Sequence, residues 1–236
     1  MTLIAVLAAA AVIVVVAVLV SGGGGGDNAS ERPQAAQQSS GAIPGQKESG
    51  EMLAGIPQQG IYLGKRDAPV RLVEFADLQC PYCREYSLQV LPQLVQDYVR
   101  SGKVRMEFRN LAFLGNDSVT AGRAASAAAR QDRLWNFVDV LYFNQGEENS
   151  GYVTSQFLDG IYKGAGVEGA KAKAFAATPA AVEPLKAANT LADQEGVDST
   201  PTILVGKRGG ALKKVDAAPT DTGAFKSAID AVLGQA

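Results

Sequence analysis

The 236-residue chain contains no histidine. Without an imidazole, Ser/His/Asp and Cys/His nucleophilic sites, histidine metal ligands and histidine proton shuttles are all excluded. Cysteine is almost as scarce. Two residues cannot close a four-cysteine zinc site, nor can they form the framework of a disulfide-stapled mini-protein. No charge of one sign dominates: 22 Lys and Arg stand against 24 Asp and Glu, so the chain lacks the overall electrostatic footprint of a nucleic-acid binder. What is abundant is apolar residue, at 47%, which with this length places the chain among globular proteins of one or two domains.

Leu3 to Val20 form an uninterrupted apolar run of 18 residues. As a helix it would reach about 27 Å, enough to cross a hydrocarbon core. A cleavable signal has a basic start, whereas no Lys or Arg precedes Arg32. Residues 1–21 are therefore expected to be a single-pass membrane anchor, the alternative being cleavage after Ser21 or Gly23 and secretion. Residues 22–59 are rich in Gly, Ser, Gln and Pro and open on five glycines, Gly22 to Gly26, a composition that predicts a flexible linker. Its end-to-end distance would be roughly 35 Å. No GK[ST] follows the glycines, so they do not read as a phosphate loop.

Residues 60–236 have the size of one α/β domain. Val70 to Phe75 is a short β-branched run that reads as a buried strand. Asp77, Leu78 and Gln79 then lead into Cys80-Pro81-Tyr82-Cys83, and apolar residues recur at helical spacing (Tyr86, Val90, Leu94, Val95, Tyr98) up to about Arg100. Lys103 to Asn110 alternates like a second strand. Residues 111–199, rich in Ala and without strand signals, are predicted to be a helical insertion, with helices over Asp117–Arg130 and Arg133–Phe143. Trp135, Phe137, Tyr142 and Phe143 fit its core packing. Thr202 to Val205 is an apolar strand, Ala211 to Val215 a candidate partner after Gly209-Gly210, and Thr222 to Leu233 a terminal helix.

The two cysteines thus stand where a strand passes into a helix. A helix N-terminus presents unpaired N–H groups and a positive dipole end to Cys80, which favours its thiolate. Pro81 suits the first helical position, where the missing N–H costs nothing. Cys83 lies almost one turn further on the same side. Cys80 is therefore the expected nucleophile and Cys83 the resolving thiol. Half a zinc site would need two further ligands, and a disulfide spanning two residues removes little entropy from the unfolded chain, so metal and purely structural readings fit less well. No metal and no organic cofactor are expected.

Ala68-Pro69-Val70, Val73-Glu74-Phe75, Asp77 and CPYC in that order resemble the DsbA-like branch of the thioredoxin superfamily, extracytoplasmic thiol:disulfide oxidoreductases. The later stretch from Val197 to Val205 resembles the cis-proline loop of that family, and the helical stretch between resembles its insertion. The resemblance implies a thioredoxin fold with an α-helical insertion between its βαβ and ββα halves. It makes Pro201 a cis-proline beside Cys80, with the backbone of Thr200 turned out to pair with an extended substrate, and puts Pro81 and Tyr82 on the substrate-facing surface. It places a buried acid at Glu74 that could exchange a proton with Cys83, although strand alternation alone also allows Glu74 a solvated face or an ion pair. Asp77 shares the pattern without an evident chemical role.

The strongest oxidants of that family carry His between the cysteines, where this chain has Tyr82. Together with the expected anchor and linker, the resemblance implies a membrane-tethered oxidoreductase of intermediate strength, expected to be a monomer. It would form disulfides in cysteine-containing exported proteins and be regenerated by a membrane redox partner. The alternatives are an extracytoplasmic reductant and a tethered, non-catalytic peptide-binding module.

Overall fold

The computed structural model describes residues 41–234. Its centre is a six-stranded sheet in the order β1-β2-β4-β3-β5-β6: β1 Gln58–Gln59, β2 Tyr62–Leu63, β3 Val70–Ala76, β4 Val104–Asn110, β5 Thr202–Lys207 and β6 Lys213–Lys214. The apolar run of β3 takes the interior position, parallel to β4 and antiparallel to β5. A strand buried on both faces reads as a continuous rather than alternating apolar run. A parallel pair also needs a crossover, here the helical stretch that carries both cysteines.

That stretch begins with α2 (Pro81–Glu85), widens into a π-helical turn at Tyr86–Val90, returns to α geometry in α3 (Leu91–Leu94) and widens again at Val95–Val99. Pro92 accounts for the first widening. It has no N–H to give Leu88, and its ring would collide with that carbonyl in a regular α-turn.

The insertion between β4 and β5 consists of α4 (Asn116–Ala129), α5 (Leu134–Phe143), α6 (Ser155–Ala165), α7 (Gly169–Ala176), a 3₁₀ turn at Pro179–Val182 and α8 (Glu183–Glu195). The two helices expected within it lie within a residue of their predicted bounds. Alternation on the strands separates two cores. Val70, Leu72, Met106, Phe108, Ile203 and Val205 join the cysteine helix and most of the insertion, whereas Val73, Phe75, Leu111 and Leu204 meet Ala188 and Ala192 of α8. The terminal helix α9 (Thr222–Leu233) is capped by Asp221, whose side chain accepts from the Ala224 N–H. Of the expected partner strand Ala211–Val215, only β6 enters the ladder, Lys214 opposite Leu204 and Lys213 opposite Val205.

The linker predicted over 22–59 needs correction in its second half. Residues 46–53 form α1 (Gln46–Leu53), and Ser49, Leu53 and Ile56 are buried. This segment is too polar to announce itself. It is held by distant side chains: Arg100 donates to the carbonyls of Met52 and Ala54, Asn144 to that of Pro44, and Gln58 donates to Asn136 at 2.8 Å. The folded unit accordingly extends upstream of Gly60 to include α1. Gly64, between β2 and β3, has φ 100°, and a Cβ there would lie 2.8 Å from the Val104 carbonyl, so only glycine fits. The apolar run Leu3–Val20 and the first part of the linker lie outside the described residues. Among those described, no helix is long and apolar enough to cross a membrane.

Candidate functional site: a dithiol at a helix N-terminus

Cys80 is the N-cap of α2, with extended φ, ψ of −68° and 121°, and Pro81 opens the helix. Both cysteines are free thiols, Cys80 slightly exposed and Cys83 fully buried. Their environments separate them. A hydrogen bond from Cys83 lowers the Cys80 pKa to about 6 against the opposing effect of burial, helped by Thr200 and by the N–H groups of Cys83 and Tyr82. Cys83 moves the other way: burial, its hydrogen bond to Cys80 and the charge of Cys80 together push it well above the ordinary thiol range. These opposed shifts favour the thiolate at Cys80 and the protonated thiol at Cys83.

The Thr200–Pro201 peptide bond is cis, and the Cys80 Sγ lies 3.5 Å from the Thr200 carbonyl oxygen. β5 starts immediately afterwards, so the interior strand β3, the cysteine helix and the 200–201 turn converge at one end of the sheet. Tyr82 stands 59% exposed beside the thiols. Pro81 is also exposed.

Glu74 is 1% exposed, on the face of β3 that looks towards the cysteine helix, and neither carboxylate oxygen has a hydrogen-bond partner among the described residues. Burial raises its pKa to about 8. The solvated or ion-paired position that the sequence left open is not the one it takes. Its charge is felt by the buried hydroxyls of Tyr86 and Tyr142, both of which are held well above the usual phenol range chiefly by burial.

Asp77, without a role in the sequence reading, holds the turn between β3 and α2. One carboxylate oxygen accepts from the Gln79 N–H and the Ser118 hydroxyl at 2.8 and 2.6 Å, the other from the N–H groups of Phe113 and Leu114 at 2.9 and 3.0 Å. Its carbonyl accepts from the Cys80 N–H and the Tyr142 hydroxyl. Gln79 extends the network, donating to Ser118 and the Leu114 carbonyl and accepting from the N–H of Asn149, a residue at φ 57°. Gln145 donates to the carbonyls of Leu78 and Cys80. An Asp two residues before the acceptor's N–H partner is an Asx-turn signature, and that part was visible in the sequence. Ser118, Gln145 and Asn149 come from the insertion and left no local signal. Trp135, Phe137 and Tyr142 are core residues as expected, and Phe143 is half-buried.

A profile of the thioredoxin family matches residues 57–231. The chain belongs to that family. Probable disulfide bond formation protein D of Bacillus cereus is 42% identical over 115 residues, 48% of this chain and 52% of that protein. Disulfide bond formation protein D of Bacillus subtilis is 33% identical over 103 residues, 43% and 46% of the two chains. The chain thus spans about half the length of the curated relatives it matches. Over a longer reach, the crystal structure of oxidised BdbD from Bacillus subtilis superposes with a TM-score of 0.67 at 25% identity, covering 76% of this chain and 97% of that one. α-DsbA1 of Wolbachia pipientis gives 0.64 at 18%, covering 79% and 96%, which shows the common fold. The thioredoxin fold with its helical insertion is therefore the one expected from the residues.

Proposed function

We propose that the protein is an extracytoplasmic protein thiol:disulfide oxidoreductase that forms disulfides in exported proteins through Cys80 and Cys83. The observation that carries this reading is the opposed pair of thiols, one lowered to about 6 and one raised, at a helix start beside a cis X-Pro bond. The names of the Bacillus relatives favour disulfide formation over reduction.

In the working direction a client thiolate attacks the Cys80 sulfur of the Cys80–Cys83 disulfide and expels Cys83 as thiolate. Cys83, disfavoured as an anion by burial, takes a proton, and Glu74 is the acid on the same side of β3. A second client thiolate then attacks the client sulfur of the mixed disulfide and releases Cys80, whose thiolate is the stabilised leaving group. Two electrons have passed from client to enzyme, and a membrane redox partner would remove them. Thr200 and Pro201 border the thiol that carries the client, and the exposed Pro81 and Tyr82 offer it a surface. Residues 3–20 would anchor the domain as a monomer at the outer face of the cell membrane.

Trapping tests the roles. Cys83→Ser should accumulate mixed disulfides with client proteins through Cys80, and Cys80→Ser should not. Equal trapping by both variants, or none by Cys83→Ser in an oxidising compartment, overturns the assignment.

A further inference from the structure

At the opposite end of β3 from the thiols, about 20 Å along the strand, is a second concave site. It has a cavity of about 330 Å³ lined by Tyr62, Arg66, Arg71, Arg105, Glu107 and Arg208, together with Ala68 and Val70. Four arginines thus line one cavity that holds a single carboxylate. That carboxylate is already taken: Arg71 holds one Glu107 oxygen at 2.8 Å, and Arg109, from outside the cavity, holds the other. Three lining arginines therefore keep charge to spare. The side chains of Arg66 and Arg208 make no hydrogen bond or ion pair among the described residues, although the Arg208 backbone N–H donates to the Pro69 carbonyl. The Arg105 Nε is shielded from solvent and has no acceptor among the described residues. The Arg105 guanidinium is meanwhile fixed in orientation, 3.9 Å over the Tyr62 ring and 3.4 Å from the Gln59 side-chain oxygen.

We propose that this cavity is a binding site for a phosphate-bearing anion. An anion oxygen that reached the Arg105 Nε–H would complete hydrogen bonding that the described residues leave open. Three planar forks suit the several terminal oxygens of a phosphate better than the two of a carboxylate, and guanidinium groups bind both by paired charge-assisted bonds. The volume exceeds that of a bare phosphate, which leaves room for the organic group that carries it. Such a group could be the headgroup of an anionic lipid or a free phosphate compound, and the chemistry of recognition is the same for both.

The full-length chain in neutral detergent separates the sources, read through the arginine Nε–H resonances. Inorganic phosphate is titrated in one arm, and soluble dihexanoyl phosphatidylglycerol, with dihexanoyl phosphatidylcholine as control, in another. Saturable movement of the Arg105 Nε–H signal is expected with phosphate, with phosphatidylglycerol or with both. The effect should exceed that of phosphatidylcholine, weaken by about tenfold or more in Arg66→Ala/Arg208→Ala, and decline with salt. Both substituted residues are exposed, so the fold and the thiol chemistry should survive unchanged. Movement with phosphate identifies a small-anion site, and movement with phosphatidylglycerol alone a headgroup site. No saturable movement in either arm, movement equal to that with phosphatidylcholine, or affinity unchanged in the double variant would overturn the proposal.

Discussion

Glu74 and Glu107 are the same residue type, equally buried at 1% exposure, on adjacent parallel strands. Their surroundings could hardly differ more. The register sets Glu74 opposite Phe108 and Glu107 opposite Val73, so the two carboxylates point to opposite faces of the sheet. On one face Arg71 and Arg109 grip both oxygens of Glu107; on the other, Glu74 lies beneath the cysteine helix with neither oxygen partnered among the described residues. A buried carboxylate held by guanidinium groups is costly to break. One left alone is pushed towards neutrality and becomes a proton donor near physiological pH. Burial therefore does not tell the two carboxylates apart; their partners do.

The largest expected effect separates the two by stability. The folded chain holds the Glu74 proton up to about pH 8, while the ordinary value is 4.5, so the unfolded state releases it earlier. Folding stability should then fall as pH rises from about 4.5 to 8. In the disulfide form, where neither cysteine titrates, Glu74→Gln removes this loss. It should be more stable than the wild type by about 3 kcal/mol at pH 7, with the gap opening from about pH 4.5 and levelling above about pH 8. Urea unfolding across pH measures it, and a gap that stays constant would assign Glu74 an uncharged structural role. The same variant should resolve mixed disulfides more slowly near neutral pH.

Glu107→Gln should move stability in the opposite sense. It leaves Arg71 and Arg109 facing each other without their counter-charge, and because both are partly exposed the loss should be about 2 kcal/mol at pH 7, with thiol resolution unaltered. A stabilised Glu107→Gln would erase the contrast between the faces.

The smallest effect brings to the thiol side the kind of cation that Glu107 already has. With Cys80 lowered to about 6 by hydrogen bonds, its thiolate is less favoured than that of DsbA, whose thiol pKa of about 3.5 accompanies a potential of about −120 mV. The difference predicts a potential of about −190 mV for this dithiol. Tyr82→His should raise the potential by about 30 mV, equivalent to about 1.4 kcal/mol, as read by equilibration with glutathione. A variant no more oxidising than the wild type would show that an imidazolium at position 82 does not reach the Cys80 sulfur.

Much of this could be read in the linear chain because it is local. The β-branched run at Val70–Ala76, the proline after Cys80 and the Asp221 cap are decided by near neighbours, and Thr222–Leu233 was expected with the bounds it has. α1 was missed for the opposite reason: its own side chains bury little, and Arg100, Asn136 and Asn144 supply the bonds that hold the segment in place. Asp77 was noticed without a role, since three of its four carboxylate bonds come from residues 113 to 118, far along the chain.

By itself the sequence determined the dithiol, its place at a helix start, the strand–helix–strand order around it, and the exclusion of imidazole chemistry. Each of these depends on residue type and spacing within a few positions. Only the tertiary structure decided which carboxylate is unpaired, what clamps the turn before the cysteines and where the arginines gather. Those properties depend on which face of the sheet a side chain takes and on what packs against it, and strand pairing over some thirty residues or more settles that.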